Sequence, residues 1–564
     1  MKIFGINFLS ESSISLIKDG KLEFAISEER INREKNWYGN PYMSISHCFD
    51  LNKLKKENID FFCTHGVSSY NLDKQKQNED YSKVIDEIKS SDQSFKVKKF
   101  LTNKINLRKK KENKAYKRSK KLIQKLKKKF GNGLEVYDHH LCHAASAACF
   151  SGWKQCLVLT IDGYGDACSS KLYKFENNKF KELNQTSILH SLGYFYGSIT
   201  KYLGFKPHRH EGKVLGLAAH GDPKKAYKVI SSLISYDKKN KNFKGGFKNG
   251  FLPLFDNIYL KKILKPYKKI DIAAAAQKRL EDIVLSYIRD IKIKKFKLAL
   301  AGGVFANVKL NQKISQLKKV EDIFIFPNMG DGGLSAGATA LSYIKHTGKC
   351  PSKIDNVYLG GEFSDKQIIS EIKKYKLKYK IIPKVEKIVA EKLHEGKIVS
   401  VFNGKLEFGP RSLGNRSILC RATEFGINQS LNKKLKRTEF MPFAPITLSK
   451  FKKKMYLDCK KGNLTSKFMT ILYKCSNKMR EISPAAVHVD NTARPQIVDQ
   501  KINPRLYLIL NEYYKISKIP NLINTSFNMH EEPIVYNPND AVRAFIQSEL
   551  DYLLIGRYLV HKKI

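Results

Sequence analysis

The sequence has no CxxC pair, and its ten cysteines are scattered. That spacing excludes a zinc ribbon and argues against a secreted disulfide framework, so the thiols are expected to be reduced, small core residues. No apolar run approaches the roughly 18 residues that cross a bilayer. The opening MKIFGINF has no charged-then-apolar leader, so a soluble cytoplasmic protein without a membrane partner is expected. Acidic residues are scarce: 53 Asp and Glu stand against 103 Lys and Arg, a formal net charge of +50. Such an excess draws attention to nucleic acids, anionic membranes and phosphorylated ligands. Most of it is lysine spread over the whole chain, a dispersion that disfavours dedicated nucleic-acid binding. What is present is 42% hydrophobic residues over 564 positions, enough to fold and too long for one core, so two large domains or three smaller ones are expected.

Three short strand-like runs open the chain, KIFGINF, SSISLIKDG and KLEFAIS, with Asp19-Gly20 as a hairpin turn signal between the second and third. SEERINREK then places Glu28, Glu29, Arg30, Arg33 and Lys35 in one charged run, which reads as a solvated helix start or as a charged wall beside a site. From about 71 to 130 the text is lysine-rich with apolar residues at loose helical spacing. Exposed helices inserted on a core are expected there, with a solvated face preferred over a binding surface. The opening pattern returns as CLVLTIDGYGD, SSKLYKFENNK and KFKELNQ. Two strand-turn-strand meanders, each followed by helices, predict a duplicated α/β lobe. This is the two-lobed layout of actin-like sugar kinases and heat-shock ATPases, in which ligands lie between the lobes.

Between the meanders, VYDHHLCHAASAACF places His139 and His143 four apart at a helix start, on one helical face. Asp162 ends the apolar strand CLVLTIDG, and Asp331 lies in FPNMGDGGLSAGA, where a strand gives way to a small-residue helix. Two imidazoles with carboxylates suit zinc or ferrous iron better than magnesium. Ordinary helix histidines are the competing reading. Asp138 and His140 flank the pair, so spacing alone does not fix which histidine faces inward.

Glycine punctuates two further segments. In HEGKVLGLA, Lys213 beside Gly212 is able to approach a phosphate or an acyl group with little steric cost. In LALAGGVFANVKLNQ a buried strand delivers Gly302 and Gly303 to a helix start, with Asn307 and Asn311 on one face; backbone N–H groups at such a turn bind anions, although strand-GG-helix is also a packing device. His346 to Asp365 has the proline and glycine content of a linker, which sets a first domain at 1–350 and a second at 360–564. The second is dominated by arginine-rich turns: Glu407, Arg411, Asn415 and Arg416 share one loop, Arg437 and Arg494 lie in others, and Asn524, Ser526 and Asn528 end a strand. Arginines in such turns are rigid bidentate donors for phosphate or carboxylate. The alternative is that some of them bridge loops internally through an acid.

The ordered set DHHLCHAASA, TIDGYGD, EGKVLGLA, GGVFANVKLN, NMGDGG, FGPRSLGNRS, PFAP, TARPQ and NTSFN closely resembles the O-carbamoyltransferases of the nodulation-protein U and cephamycin hydroxymethyl-carbamoyltransferase type, over nearly the whole chain. The resemblance implies an actin-like (ASKHA) N-terminal domain and a C-terminal α/β domain similar to YrdC proteins. The C-terminal domain would join carbamoyl phosphate to ATP as carbamoyl-adenylate, with Mg2+ accompanying ATP. The N-terminal domain would move the carbamoyl group to an acceptor hydroxyl, on a sugar or glycosylated metabolite. The resemblance assigns metal ligation, by Fe2+ or Zn2+, to His139, His143, Asp162 and Asp331, with His139 and Asp162 as the catalytic pair. It gives anion-binding roles to Arg411, Arg494, Ser526 and Asn528, and adenylate binding in the transfer domain to Lys213, Gly302, Gly303 and Asn307. A homodimer is left open.

The chain departs from that pattern in three places. Ser10-Glu11 stands where the family usually has His-Asp before two serines, which leaves the general base unassigned. Met441 replaces an arginine before PFAP, and Leu435 aligns with a family lysine. Arg437 is expected to supply the missing charge. Two other classes compete: an actin-like small-molecule kinase, which leaves the arginine-rich domain unexplained, and a relative that binds tRNA or another polyanion, whose retention would be salt-sensitive.

Overall fold

The computed structural model describes residues 1–66, 74–131, 133–253, 258–435 and 443–562. Alternating apolar residues and tight turns build the first meander as β1 (Lys2–Asn7), β2 (Ser13–Lys18) and β3 (Lys21–Ser27), followed by β4 (Phe61–His65) and β5 (Glu135–Tyr137). The second meander is β6 (Gln155–Gly165), β7 (Cys168–Glu176) and β8 (Lys179–Ser187), followed by β9 (Phe296–Ala301) and β10 (Val320–Ile325). The sheet orders are β3-β2-β1-β4-β5 and β8-β7-β6-β9-β10. In each, the meander's first strand pairs in parallel with the fourth, and the fourth with the fifth. The expected duplication is therefore present strand for strand.

Between β4 and β5 lie α1 (Lys74–Lys89) and α2 (Phe95–Phe130). They are less solvated than the sequence suggests. Val84, Ile88, Leu101 and Ile105 close a small apolar cluster with Ile188, Leu189, Phe247 and Leu252, so one face of the insert is a satellite core while its lysines stay outside. The remaining helices used below are α3 (His139–Ser151), α4 (Leu192–Tyr202), α5 (Glu211–Ala218), α6 (Lys269–Arg289), α7 (Val308–Ser315) and α8 (Leu334–Thr347). Both α3 and α8 are rich in small residues, and nearly every position of α3 is buried. A Cβ on Gly337 of α8 would collide with the Cys142 carbonyl of α3, and one on Gly5 of β1 would meet the Ser335 carbonyl of α8. Backbone thus packs directly on backbone at the centre of the duplicated fold.

The chain divides into two compact units. The first comprises Met1–Asn7, Ser15–Lys21 and Lys55–Lys353; the second comprises Phe8–Ile14, Leu22–Leu54 and Ile354–Ile564. The second is built on β11 (Lys378–Ile381), β12 (Val399–Phe402), β13 (Arg416–Cys420), β14 (Ala444–Leu448), β15 (Gln496–Val498), β16 (Asn521–Ser526), β17 (Tyr552–Ile555) and β18 (Tyr558–His561). These form one mixed eight-stranded sheet in the order β11-β18-β17-β12-β13-β16-β14-β15. The apolar sides of α9 (Val385–His394) and α10 (Pro504–Ser517) cover it through Val389, Leu393, Leu506, Ile509 and Leu510.

In the charged run after β3, Glu28 and Arg30 are buried and Arg33 half-buried, while Lys35 is exposed. Glu28 is 2% exposed and Arg30 5%. Glu28 accepts the backbone N–H groups of Met43 (3.0 Å) and Ser44 (2.7 Å), and Arg30 donates to the Gly409 carbonyl at 2.9 Å. Arg33 donates to the carbonyls of Ile534 (2.7 Å) and Pro533 (2.8 Å) and lies 3.4 Å from Asp540. These charges tie together loops within the second unit, and burial is tolerated because each is hydrogen-bonded or paired. Among the described residues no helix is long and apolar enough to cross a membrane.

Because α8 meets α3 through backbone, Gly337→Ala is expected to destabilise the protein by about 1–3 kcal/mol, the range for overpacking a tight contact. Urea unfolding checks this; a midpoint equal to that of wild type refutes the close approach.

Candidate metal centre and anion-binding loops

The metal cluster is assembled by the ends of elements. Asp138 caps α3 by accepting the Leu141 N–H (2.8 Å), and the Asp166 carboxylate accepts the His139 N–H (2.8 Å), so the first turn of the helix is fixed from both sides. From that turn His139 and His143 project together. The ladder between β6 and β7 loses register between Ile161 and Gly165, and this bulge turns Asp162 towards the imidazoles, the re-aiming that bulges perform. Asp331 opens the 3-10 turn before α8, with its carbonyl held by the Asn7 amide at 2.8 Å.

Asp162 Oδ2 lies 3.3 Å from His139 Nε2 and 3.4 Å from His143 Nε2; Asp331 Oδ1 lies 3.6 Å from each. All four ligand atoms fall within 4.8 Å of one another. Ligands at 2.0–2.2 Å from a tetrahedral ion are separated by roughly 3.3–3.6 Å. The spacings are long for hydrogen bonds and right for the edges of a coordination shell, and neither nitrogen of His143 nor Oδ1 of Asp331 has a hydrogen-bond partner. Two imidazoles and two carboxylates are a donor set for zinc or ferrous iron, so the residues fit a divalent ion.

The electrostatics agree. Burial would lower the basicity of His139, but the Asp162 hydrogen bond and the Asp331 charge outweigh it and carry it up to about 9. His143 is likewise raised against burial by the same acids, and the two imidazoles hold Asp162 well below the usual carboxylate range despite its burial. Such mutual shifts belong to a tightly packed group of opposite charges. His140 is excluded from the cluster: its Nδ1 is 2.9 Å from the Thr160 hydroxyl, and burial followed by the charge of His139 holds it far below an ordinary histidine. The ambiguity of three neighbouring histidines is resolved by β6, whose Thr160 claims the middle one.

Gly302 has a φ of +102°, and a Cβ there would strike the Ile161 carbonyl. The next N–H, of Gly303, donates to Asp162 Oδ1 at 3.2 Å, so the double glycine orients the carboxylate whose other oxygen faces the histidines. Asn307 is the N-cap of α7, accepting the Leu310 N–H at 3.0 Å, and exchanges amide hydrogen bonds with Gln277 on α6 (2.8 and 3.2 Å). Gln277 also donates to Glu281 (2.8 Å) and accepts from Tyr196 (3.0 Å); burial pushes the Glu281 carboxyl up. Lys213 stands on α5, half-buried, beside open space at Gly212.

The sequence reading missed Asn7, His65, Gln277 and Glu281. Asn7 Oδ1 is 2.6 Å from His65 Nε2, and the His65 ring stands edge-on to His139 at 5.6 Å. Asn7 and His65 end the parallel strands β1 and β4. Carboxyl ends of parallel strands are where ligand sites collect, and that signal was available in GIN and FFCTH.

In the second unit the loop FGPRSLGNRS is shaped by Glu407, whose Oε1 accepts the N–H groups of Leu413 (2.7 Å), Asn415 (2.8 Å) and Arg416 (3.2 Å). Arg416 is 0% exposed; it donates to the carbonyls of Asn403 (2.7 Å), Asn415 (3.0 Å) and Gly404 (3.1 Å) and lies over the Phe402 ring. It is an internal brace held through carbonyls rather than an acid, with its Nε left without a hydrogen-bond partner. Arg411 and Arg494 are different. Both are half-buried, and among the described residues neither guanidinium has a hydrogen bond or ion pair. Burial lowers the basicity of both, and the positive charge of Arg411 lowers that of Arg494 further. Two uncompensated, mutually repelling cations have the chemistry to take an anion. Ser526 ends β16 opposite Ser417, and Asn528 gives its amide protons to the Met529 (2.6 Å) and Glu532 (3.2 Å) carbonyls. Arg437, Lys436 and Met441 lie outside the described residues.

Residues 2–340 match the family described as carbamoyltransferase N-terminus, and residues 390–562 that described as carbamoyltransferase C-terminus. Three relatives illustrate the range. An uncharacterized protein of Methanocaldococcus jannaschii is 33% identical over all of both chains. Nodulation protein NolNO of Sinorhizobium fredii is 29% identical over 99% of this chain and 79% of its own length. The 3'-hydroxymethylcephem-O-carbamoyltransferase of Streptomyces clavuligerus is 26% identical over 63% of this chain and 65% of its own.

His143→Ala is expected to weaken divalent-metal retention by about 100-fold or more, since even loss of a second-shell partner costs 10–100-fold. His140→Ala is expected to retain the ion. Chelator competition with metal analysis distinguishes the two; equal retention by both variants removes His143 from the ligand set.

Proposed function

The chain belongs to the carbamoyltransferase family, and from that premise we propose that it is an ATP-dependent O-carbamoyltransferase working through carbamoyl-adenylate. The observation that carries the first half is the pair Arg411 and Arg494, cations left without protein acids. Carbamoyl phosphate and the ATP tail, accompanied by Mg2+, bring several negative charges to be held. In this reading carbamoyl phosphate and water give carbamate and phosphate. A carbamate oxygen then attacks the α-phosphorus of ATP, and pyrophosphate leaves. Arg411 and Arg494 bind and orient the anions, Ser526 and Asn528 line the strand end beside them, and Arg437 supplies the charge that relatives place before PFAP. The mixed sheet of the second unit is assigned to the YrdC-like class on this basis.

The second half is assigned to the duplicated, actin-like unit. There the acceptor oxygen attacks the carbamoyl carbon, the hydroxyl proton departs to a base, and AMP leaves. A divalent ion held by His139, His143, Asp162 and Asp331 would polarise the carbamoyl carbonyl and stabilise charge developing on it. Gly303 fixes the orientation of Asp162, and the Asn7 amide fixes the backbone of Asp331. The Gly302-Gly303 turn, Asn307 and Lys213 hold the adenylate, with Gln277 keeping Asn307 in place. The acceptor is a hydroxyl of a sugar or glycosylated metabolite; a relative named for a hydroxymethylcephem substrate supports the hydroxyl.

The test omits the acceptor: purified protein with carbamoyl phosphate and ATP, following pyrophosphate. Wild type is expected to release it, and Arg494→Ala to lose about 10–100-fold in kcat/KM, the worth of a charged hydrogen-bonded contact. Equal release by wild type and Arg494→Ala, or none from folded wild type, refutes the reading.

A further inference from the structure

The bulge that aims Asp162 also carries Tyr164, two residues further on and 46% exposed. An exposed tyrosine on a loop is ordinarily loose; this one is not. Its ring stacks on Tyr194 of α4, with centroids 5.8 Å apart and planes 30° apart. The Arg108 guanidinium of α2 lies 5.4 Å from the Tyr164 centroid and 5.0 Å from that of Tyr194, and donates to the Tyr194 hydroxyl at 3.1 Å. Tyr194 is in turn tied to the bulge: Ser191 caps α4 by accepting the Tyr194 N–H (3.0 Å) and donates to the Gly163 carbonyl at 2.7 Å. The closeness of the two segments is such that a Cβ on Gly193 would crowd the Asp162 carbonyl at 2.6 Å.

The charge of Arg108 is not on offer to a ligand, because its Nε donates to the buried Glu112 at 2.8 Å. Arg108 therefore orients an aromatic surface and leaves that surface electrically quiet. Two residues of extended chain span at most about 7 Å, so the backbone positions that carry Tyr164 and Asp162 lie within that distance of one another.

We propose that Tyr164 is the platform on which the acceptor rests, and that the acceptor offers its hydroxyl from a neutral saturated ring, a pyranose, whose C–H face lies on the tyrosine. This rests on the carbamoyl-transfer reading and narrows it. A preorganised aromatic face binds a flat apolar face at little entropic cost. A linear alcohol gains nothing from such a face, and an anionic acceptor finds no uncommitted cation in Arg108. Arg108 and Tyr194 are positioning residues, and the helical insert α2 becomes part of the specificity apparatus.

The test reads binding directly. Saturation-transfer NMR is run on full-length, metal-loaded protein with the methyl glycosides of glucose, mannose and N-acetylglucosamine, and with benzyl alcohol as an aryl control. Wild type and Tyr164→Phe are expected to transfer saturation to the ring C–H protons of at least one glycoside, and Tyr164→Ala to bind it about tenfold or more weakly, the loss of a contact worth about 1.4 kcal/mol. Undiminished transfer in Tyr164→Ala, no transfer to any glycoside from wild type, or transfer to benzyl alcohol alone overturns the proposal. Neither ATP nor carbamoyl phosphate is present, so a failure here is separate from a failure of pyrophosphate release.

Discussion

The first unit depends on how closely α3 approaches α8. With side chains excluded at Gly337, the helix carrying two histidines lies against the helix whose preceding turn carries Asp331. Four candidate ligand atoms from three elements then fall within 4.8 Å of one another. Precision of this order is difficult to reach with long side chains, whose rotamers cost entropy to fix. Small residues place the precision in the backbone, where regular hydrogen bonding already supplies it. The bulge in β6 and the double glycine after β9 complete the arrangement by turning one carboxylate and holding it there.

The two units handle buried charge in opposite ways. In the first, imidazoles and carboxylates compensate one another, and His139, His143 and Asp162 shift towards their charged forms. In the second, Glu407 Oε1 accepts three backbone N–H groups and Arg416 donates to three carbonyls, which stiffens the loop, while Glu407 Oε2 and Arg416 Nε are left without a hydrogen-bond partner. Arg411 and Arg494 are left with repulsion and desolvation. That cost is carried by the folded scaffold; in the proposed reaction an anion would return it, which is the physical meaning of preorganisation.

Much of this was legible in the sequence. The two meanders announce themselves through turn residues and alternation, and the duplicated sheet order follows from them. The grouping of His139, His143, Asp162 and Asp331 was legible because each sits where one element gives way to the next. Contacts between distant segments were not. Asn7 and His65 meet across 58 residues; GIN and FFCTH mark each as a strand end, but not that the two strands lie side by side. Arg416 and Arg411 look alike in the string FGPRSLGNRS, since an arginine in a turn reads the same whether it faces carbonyls or open space. The lysine-rich insert reads as solvated because its buried face is narrow, and only the apolar cluster around Ile188 and Phe247 gives that face a partner. SEERINREK misleads for the same reason: its Arg30 and Arg33 are taken up by loops several hundred residues away.

That distance has a consequence for biosynthesis. Arg30 and the Gly409 carbonyl are 379 residues apart, with the first unit's main segment between them. At translation rates of about 5–20 residues per second, Arg30 leaves the ribosome about 20–75 s before the loop it will brace. The first unit's long segment is complete by then, so the N-terminal residues must stay unpaired while their neighbours fold. A chain cut into two halves at the linker would separate Arg30 and Arg33 from the scaffold they complete. The order of synthesis and the order of assembly are thus different, and the last part to be made closes around one of the first.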